Sequence, residues 1–140
     1  MQTDDSRQIE LLARIREGID NALAVTGEID RRLLTCSNLL RVDPSDATFT
    51  ALSWEISNLD ALVALMQEIK NGVAHLSSRA VPTDAFSSLE KSVSLFRQMQ
   101  AAMEGKDWIT LADLIQYELS PLLADGEKDL SGVRDLLQRS

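Results

Sequence analysis

The sequence predicts an all-α fold: an antiparallel four-helix bundle with two long N-terminal helices, a shorter α-hairpin and an accessory C-terminal helix. Three observations carry this expectation. Apolar residues recur at steps of three and four along nearly all of the 140 residues, without the alternation of a strand. Aromatic residues make up only 4% against 44% hydrophobic, so the core is built from Leu, Ile, Val, Ala and Met, which suits helices packed on helices. The breaks between periodic segments are short and carry helix stop and start signals. No linker is long enough to separate domains, so residues 1–140 read as a single helical-bundle domain.

The first segment runs from about Ser6 to Arg41, with Ile9, Leu12, Ile15, Ile19, Leu23, Ile29, Leu33, Cys36 and Leu40 on its apolar seam. Glu10–Arg14, Arg16–Asp20 and Glu28–Arg32 are spaced to pair across one turn of its outer face. Gly18 and Gly27 each cost about 1 kcal/mol relative to alanine. Gly27 offers a break, but the seam keeps its phase through it, and one long helix is expected.

Asp43-Pro44-Ser45-Asp46 restarts the chain. Asp43 can cap, Pro44 sits where a missing N–H costs nothing, and Asp46 adds negative charge to the first turn. The second helix then runs to about His75–Ser78. Ser77 to Pro82 connects, and Thr83 is the expected cap of a third helix carrying Phe86, Leu89, Val93, Phe96, Met99 and Met103. Gly105 ends it. A turn of Lys106 and Asp107 leads into a fourth helix presenting Trp108, Leu111, Ala112, Ile115, Leu119 and Leu122, so the two must pack antiparallel. Pro121 is expected to kink or end the fourth helix, and Asp125-Gly126 supports an end there. Leu130, Val133, Leu136 and Leu137 then mark a short terminal helix docked on the bundle.

The second helix carries more apolar surface than one face can hide. One row is Phe49, Leu52, Ile56, Leu59, Val63, Met66 and Val73, and a second is Trp54, Ala61, Leu62, Leu65, Ile69 and Leu76. A helix buried on one side needs only one stripe. The first row is assigned to the internal core. Trp54, Leu65, Leu62, Ile69 and Leu76 are the candidate interaction residues, and Trp54 and Leu65 are the two whose burial inside one chain is least assured.

The bulk charge narrows the partners. The net charge is −8, and residues 42–78 hold five acids against one base. Such a surface repels phosphate backbones and anionic lipid, so no nucleic acid and no membrane partner is expected. The lone Cys36 forms no intrachain disulfide, the polar N-terminus lacks the apolar core of a signal peptide, and no stretch approaches a membrane span. A cytoplasmic location is expected.

Little in the chain points to chemistry. His75 is the only histidine, so one chain assembles neither a catalytic triad nor a multi-histidine metal site, and its place near a helix C-terminus is explained by the helix dipole. Cys36 falls on the apolar seam and reads as packing. Asp113, Tyr117 and Thr110 share the solvent side of the fourth helix. Glu118 lies at the edge of its apolar face, near Leu111, Leu114 and Leu122, and is the candidate buried charge, with Arg14, Arg16 or Arg97 as the expected partner. The six glycines are scattered and make no phosphate-binding loop. No catalytic, cofactor or metal site is expected.

The stretch Met103–Leu123 (MEGKDWITLADLIQYELSPLL) resembles a segment of small uncharacterised bacterial helical proteins. Asp107, Trp108, Leu111, Ala112, Asp113, Leu114, Tyr117, Glu118 and Leu119 carry the resemblance, which covers about a sixth of the chain and brings no site residue with it. It implies a bacterial source. The whole-chain plan of long antiparallel helices in an acidic chain is also similar to flagellar and type III export chaperones, a likeness of fold alone.

The expected function is a non-enzymatic protein-interaction module, an adaptor or chaperone-like bundle that self-associates, with a homodimer or another protein as partner. The alternative is a small-ligand or metal-binding bundle using interior carboxylates such as Glu118. An enzyme whose site forms only between subunits is a third reading.

Overall fold

The computed structural model describes residues 2–76, 81–82 and 84–138. It is all-α, as the periodicity predicts. Helix α1 spans Gln2–Val42, α2 Asp46–Ala74 and α3 Ser87–Glu104. Then α4 (Trp108–Asp113), a π-helical segment (Leu114–Leu119) and α5 (Ser120–Gln138) follow without a break, so they form one continuous fourth helix. No strand occurs among the described residues, and no helix among them is long and apolar enough to cross a membrane.

Helix α1 keeps its phase through Gly27 and, with 41 residues at 1.5 Å each, reaches about 60 Å. Its buried seam is Ile15, Ile19, Ala22, Thr26, Ile29, Leu33, Cys36 and Leu40, an unbroken alternation of four and three. Helix α2 answers with Thr48, Leu52, Glu55, Leu59, Leu62, Met66, Ile69 and Val73, followed by Leu76 just past its end. Two such seams meet as the heptads of an antiparallel coiled coil do. Gly72 permits the close approach, because a Cβ there would meet Ile15 Cγ1 at 3.0 Å.

The caps fall close to their predicted places. Ser45, rather than Asp43, caps α2: its side chain accepts from Thr48 N at 3.4 Å. The Asp43 carbonyl accepts from Thr48 Oγ1 at 2.7 Å instead. Helix α3 ends at Gly105, but Lys106 takes the left-handed conformation, with φ 55°. Its N–H donates to Met103 O, and Asp107 N–H donates to Ala102 O, closing a Schellman turn. Asp107 then caps α4, and the two hydrogen bonds from Thr110, hydroxyl and backbone, hold its carboxyl below the ordinary aspartate range. The expected cap Thr83 lies outside the described residues. The first turn of α3 is held from across the bundle, where Asp129 Oδ2 accepts from both Ser88 N and Ser88 Oγ.

The C-terminal piece is not a separate accessory helix, and Pro121 neither ends nor breaks the fourth helix. The preceding π turn explains this. Interior proline is costly because it lacks an N–H and its ring collides with the carbonyl four residues back, here Tyr117. Ser120 N–H donates five residues back, to Ile115 O, and the widened turn makes room for the ring. Gly126, read as a stop, is instead buried inside α5 against Ser88 and Met66.

Helix α1 is the hub. It packs on α2 along one flank and on the α4–π–α5 helix along the other, while α3 packs on that helix and meets α2 only thinly. The α1–α5 flank is tied by Arg16 Nη2 donating to Leu137 O at 3.1 Å, and by Arg134 to Asp20 at 3.4 Å. Further along, Ser37 Oγ donates to Ala112 O at 3.0 Å, and Arg41 bonds Asp113 at 2.7 Å and Gln116 at 3.0 Å. Of the expected intrahelical pairs, Glu28–Arg32 forms at 3.7 Å and Glu28 also holds Arg31, whereas Arg16 and Asp20 reach for α5 instead of each other.

Candidate interaction surface

Helix α2 carries the site, and its geometry follows from its heptads. The true core stripe takes alternate members of the two rows: Leu52, Leu59, Met66 and Val73 from the first, Leu62, Ile69 and Leu76 from the second. Leu62, Ile69 and Leu76 therefore do not belong to an outer surface. They are buried against α1, because a seam alternating four and three runs between the two rows rather than along either. Phe49, Ile56 and Val63 move to the flank facing α3, where they are half-buried. At its end the Phe49 ring packs on Trp108, with centroids 4.5 Å apart.

The opposite flank is left open. Trp54 is 72% exposed, Ala61 is exposed and Leu65 is half-buried. Across from Ala61 and Leu65 on α1 stand Ala24 and Val25, the latter 42% exposed. Ala61, Leu65, Ala24 and Val25, together with Asn21, Glu28, Arg32 and Asn58, line a shallow groove of about 440 Å³ along the outer face of the α1–α2 pair, and Trp54 lies outside that lining. Trp54 thus lies outside the intrachain core, whereas Leu65 is partly buried and packs against it.

Glu118 does not carry the buried charge. It is exposed, and none of Arg14, Arg16 and Arg97 pairs with it among the described ion pairs. The π turn supplies the reason, since it rotates the following residues relative to an ideal helix and turns Glu118 to solvent. The buried carboxylate is Glu55, 6% exposed and placed in the core stripe between Leu52 and Leu59. Asn58 Nδ2 donates to it at 3.3 Å, and Arg32 Nε lies 4.0 Å away with a side chain about half exposed. Its signal was present in the sequence: the steps Leu52–Glu55–Leu59–Leu62 alternate three and four, so the heptad itself places a glutamate inside.

Glu55 also acts on Cys36. Burial, and after it the negative charge of Glu55, push the Cys36 thiol up from its ordinary value. A thiolate is the reactive form, so this cysteine is inert in the folded chain. A thiol-reactive aromatic disulfide at pH 8 is expected to label Cys36 at least 100-fold more slowly in native protein than in urea-unfolded protein. Comparable rates would mean that the α1–α2 seam opens readily at that point.

Two further hollows bear on ligands. Between α1, α2, α3 and α5 lies a cavity of about 30 Å³, next to Leu62, Met66, Phe96 and Leu123. Three hydroxyls reach it, but Thr26 donates to Ala22 O, Ser92 to Leu89 O and Ser88 to Asp129. It offers a partner no free O–H and has room for about one water. A shallow groove between α2 and α3 is lined by Ile56, Asp60, Phe96, Met99 and Met103. Among the described residues no three His, Cys, Asp or Glu side chains gather closely enough to hold a metal ion.

Comparison with curated proteins and with solved structures gives no match. A family model, in contrast, matches residues 17–129, a span that takes in the α1–α2 face, Glu55 and the π turn. The chain belongs to that family, which is described as Domain of unknown function (DUF8042).

Proposed function

We propose that this protein is a non-enzymatic interaction module, an adaptor or chaperone-like helical bundle that self-associates through the outer face of the α1–α2 pair. The observation that carries this reading is Trp54. An indole 72% exposed, on the same stripe as the exposed Ala61, is surplus to the fold of one chain. Tryptophans of this kind anchor protein interfaces, where one residue can supply about 2 kcal/mol or more of the binding energy. The acidic balance turns such a surface towards protein rather than nucleic acid or anionic lipid. A lone, inert Cys36 suits a reducing cytoplasm.

The small-ligand alternative has less support. Ligand pockets commonly enclose about 300–1,000 Å³; the interior cavity is near 30 Å³, and the hollows of about 440 and 510 Å³ are open surface grooves. Glu118, the carboxylate on which that reading leaned, faces solvent.

Sedimentation at tens of micromolar chain is expected to give a mass above the 15.5 kDa of one chain. Trp54→Ser should weaken the association about 30-fold, the equivalent of about 2 kcal/mol, while helix content and melting temperature stay unchanged. A strictly monomeric protein overturns self-association.

A further inference from the structure

We propose that the face around Trp54 is covered by a second copy of this chain, packed antiparallel about a two-fold axis that passes by Ala61. This rests on the self-association reading above and specifies its geometry.

The stripe is self-complementary about one residue. Trp54 and Glu68 each lie seven residues from Ala61, so all three occupy the same heptad position, and all three are exposed. Asn58 and Leu65 form the neighbouring stripe, also seven apart. A two-fold axis at Ala61 brings Ala61 against its own copy, and a methyl group is small enough for the two α2 helices to approach to about 8 Å. The same operation places Trp54 of one chain opposite Glu68 of the other, about 10 Å along the helix from the axis. There the indole ring lies over Leu65 and its N–H finds a carboxylate acceptor. A buried indole needs such a partner, and Glu68 is the one charged residue among Trp54, Asn58, Ala61, Leu65 and Glu68.

Electrostatics favour the same occupant. The chain carries −8, which opposes bringing two copies together. By heptad phase, however, the charges that α1 and α2 present on this face balance: Arg14, Arg31 and Arg32 against Glu17, Glu28 and Glu68. Asp20 turns to Arg134 and Lys70 to Glu90 on the other side. Two copies meeting on this face therefore bring no excess of like charge together. The size also fits. The 29 residues of α2 give a face about 43 Å long. At the width of two helices, about 20 Å, it offers roughly 800 Å² per copy, the size of a standard stable interface.

The test is cysteine cross-linking in the full chain. Cys36 is buried and serves as its own silent background. Ala61→Cys, at an exposed position on the axis, should oxidise to a covalent dimer under mild oxidant at least tenfold faster than Ser53→Cys, which is exposed on the flank nearer α3. Adding Trp54→Ser to Ala61→Cys should abolish that advantage. A chain that sediments as a dimer but cross-links no faster through position 61 than through position 53 overturns this packing and leaves the interaction-module reading standing. A chain that is monomeric at all accessible concentrations overturns both this packing and self-association.

Discussion

Replacing Ile115 with alanine is expected to destabilise the fold by about 3 kcal/mol, within the range of about 2–5 kcal/mol for emptying a large buried aliphatic site. In a domain of this size that lowers the melting temperature by roughly 10 °C. Ile115 is 0% exposed and lies where the fourth helix changes its winding. The buried residues Leu111, Ile115, Leu119 and Leu123 advance by three successive steps of four. In an α-helix each such step drifts about 40° round the axis, so Leu123 would end about 120° away from Leu111. A π turn holds more residues per turn and cancels the drift, keeping all four on α1 and α3. Ile115 supplies both a core side chain and the carbonyl that accepts from Ser120. Its neighbours are held by the continuous helix and cannot close fully over the gap. Urea unfolding followed by circular dichroism measures the effect. A loss below about 1 kcal/mol would mean that the site collapses freely and that the π turn is not held by packing.

Replacing Glu55 with leucine is expected to act in the opposite direction, raising stability by about 1–3 kcal/mol. Glu55 occupies a core position of the α1–α2 seam between Leu52 and Leu59, and its charge is poorly compensated there. Arg32 approaches only to 4.0 Å, from a side chain about half in water, and Asn58 gives one hydrogen bond at 3.3 Å. The carboxylate thus loses hydration without a close partner in return. Leucine at this position continues the apolar seam. Glu55→Gln separates charge from shape, since it keeps the Asn58 contact and removes the charge; most of the gain should already appear there if desolvation is the cause. Removing the charge should also lower the Cys36 thiol towards its ordinary value, although burial, the larger cause, persists. A loss of stability on Glu55→Leu would show that the carboxylate is structurally required at this position.

Much of the architecture was legible because it is written locally. The all-α class, the unbroken first helix, the turn at Pro44, the stop at Gly105 and the Asp107 cap all follow from periodicity and from residues within a turn of each boundary. Local errors were small where a neighbour could do the same job, as when Ser45 caps α2 in place of Asp43. The fourth helix was harder. Pro121 and Gly126 are strong stop signals under the ideal α-helical period, and only a change of winding overrides them. The three steps of four from Leu111 to Leu123 were the available clue, and they demand a π turn only once all four residues are known to be buried.

The candidate surface shows the same division. The sequence by itself determined that α2 has more apolar residues than one stripe can bury, because that is a matter of count and spacing. It also singled out Trp54 and Leu65 as the residues whose burial inside one chain is least assured. Only the tertiary structure decided that Leu62, Ile69 and Leu76 are core, that Glu55 rather than Glu118 is the buried carboxylate, and that α3 and α5 cover one flank of the long hairpin while the Trp54 flank stays open. The physical reason is that a helix face becomes inside or outside only relative to a neighbour. Spacing along the chain fixes which residues share a stripe, whereas the crossing and winding of the packed helices choose which stripe meets the core.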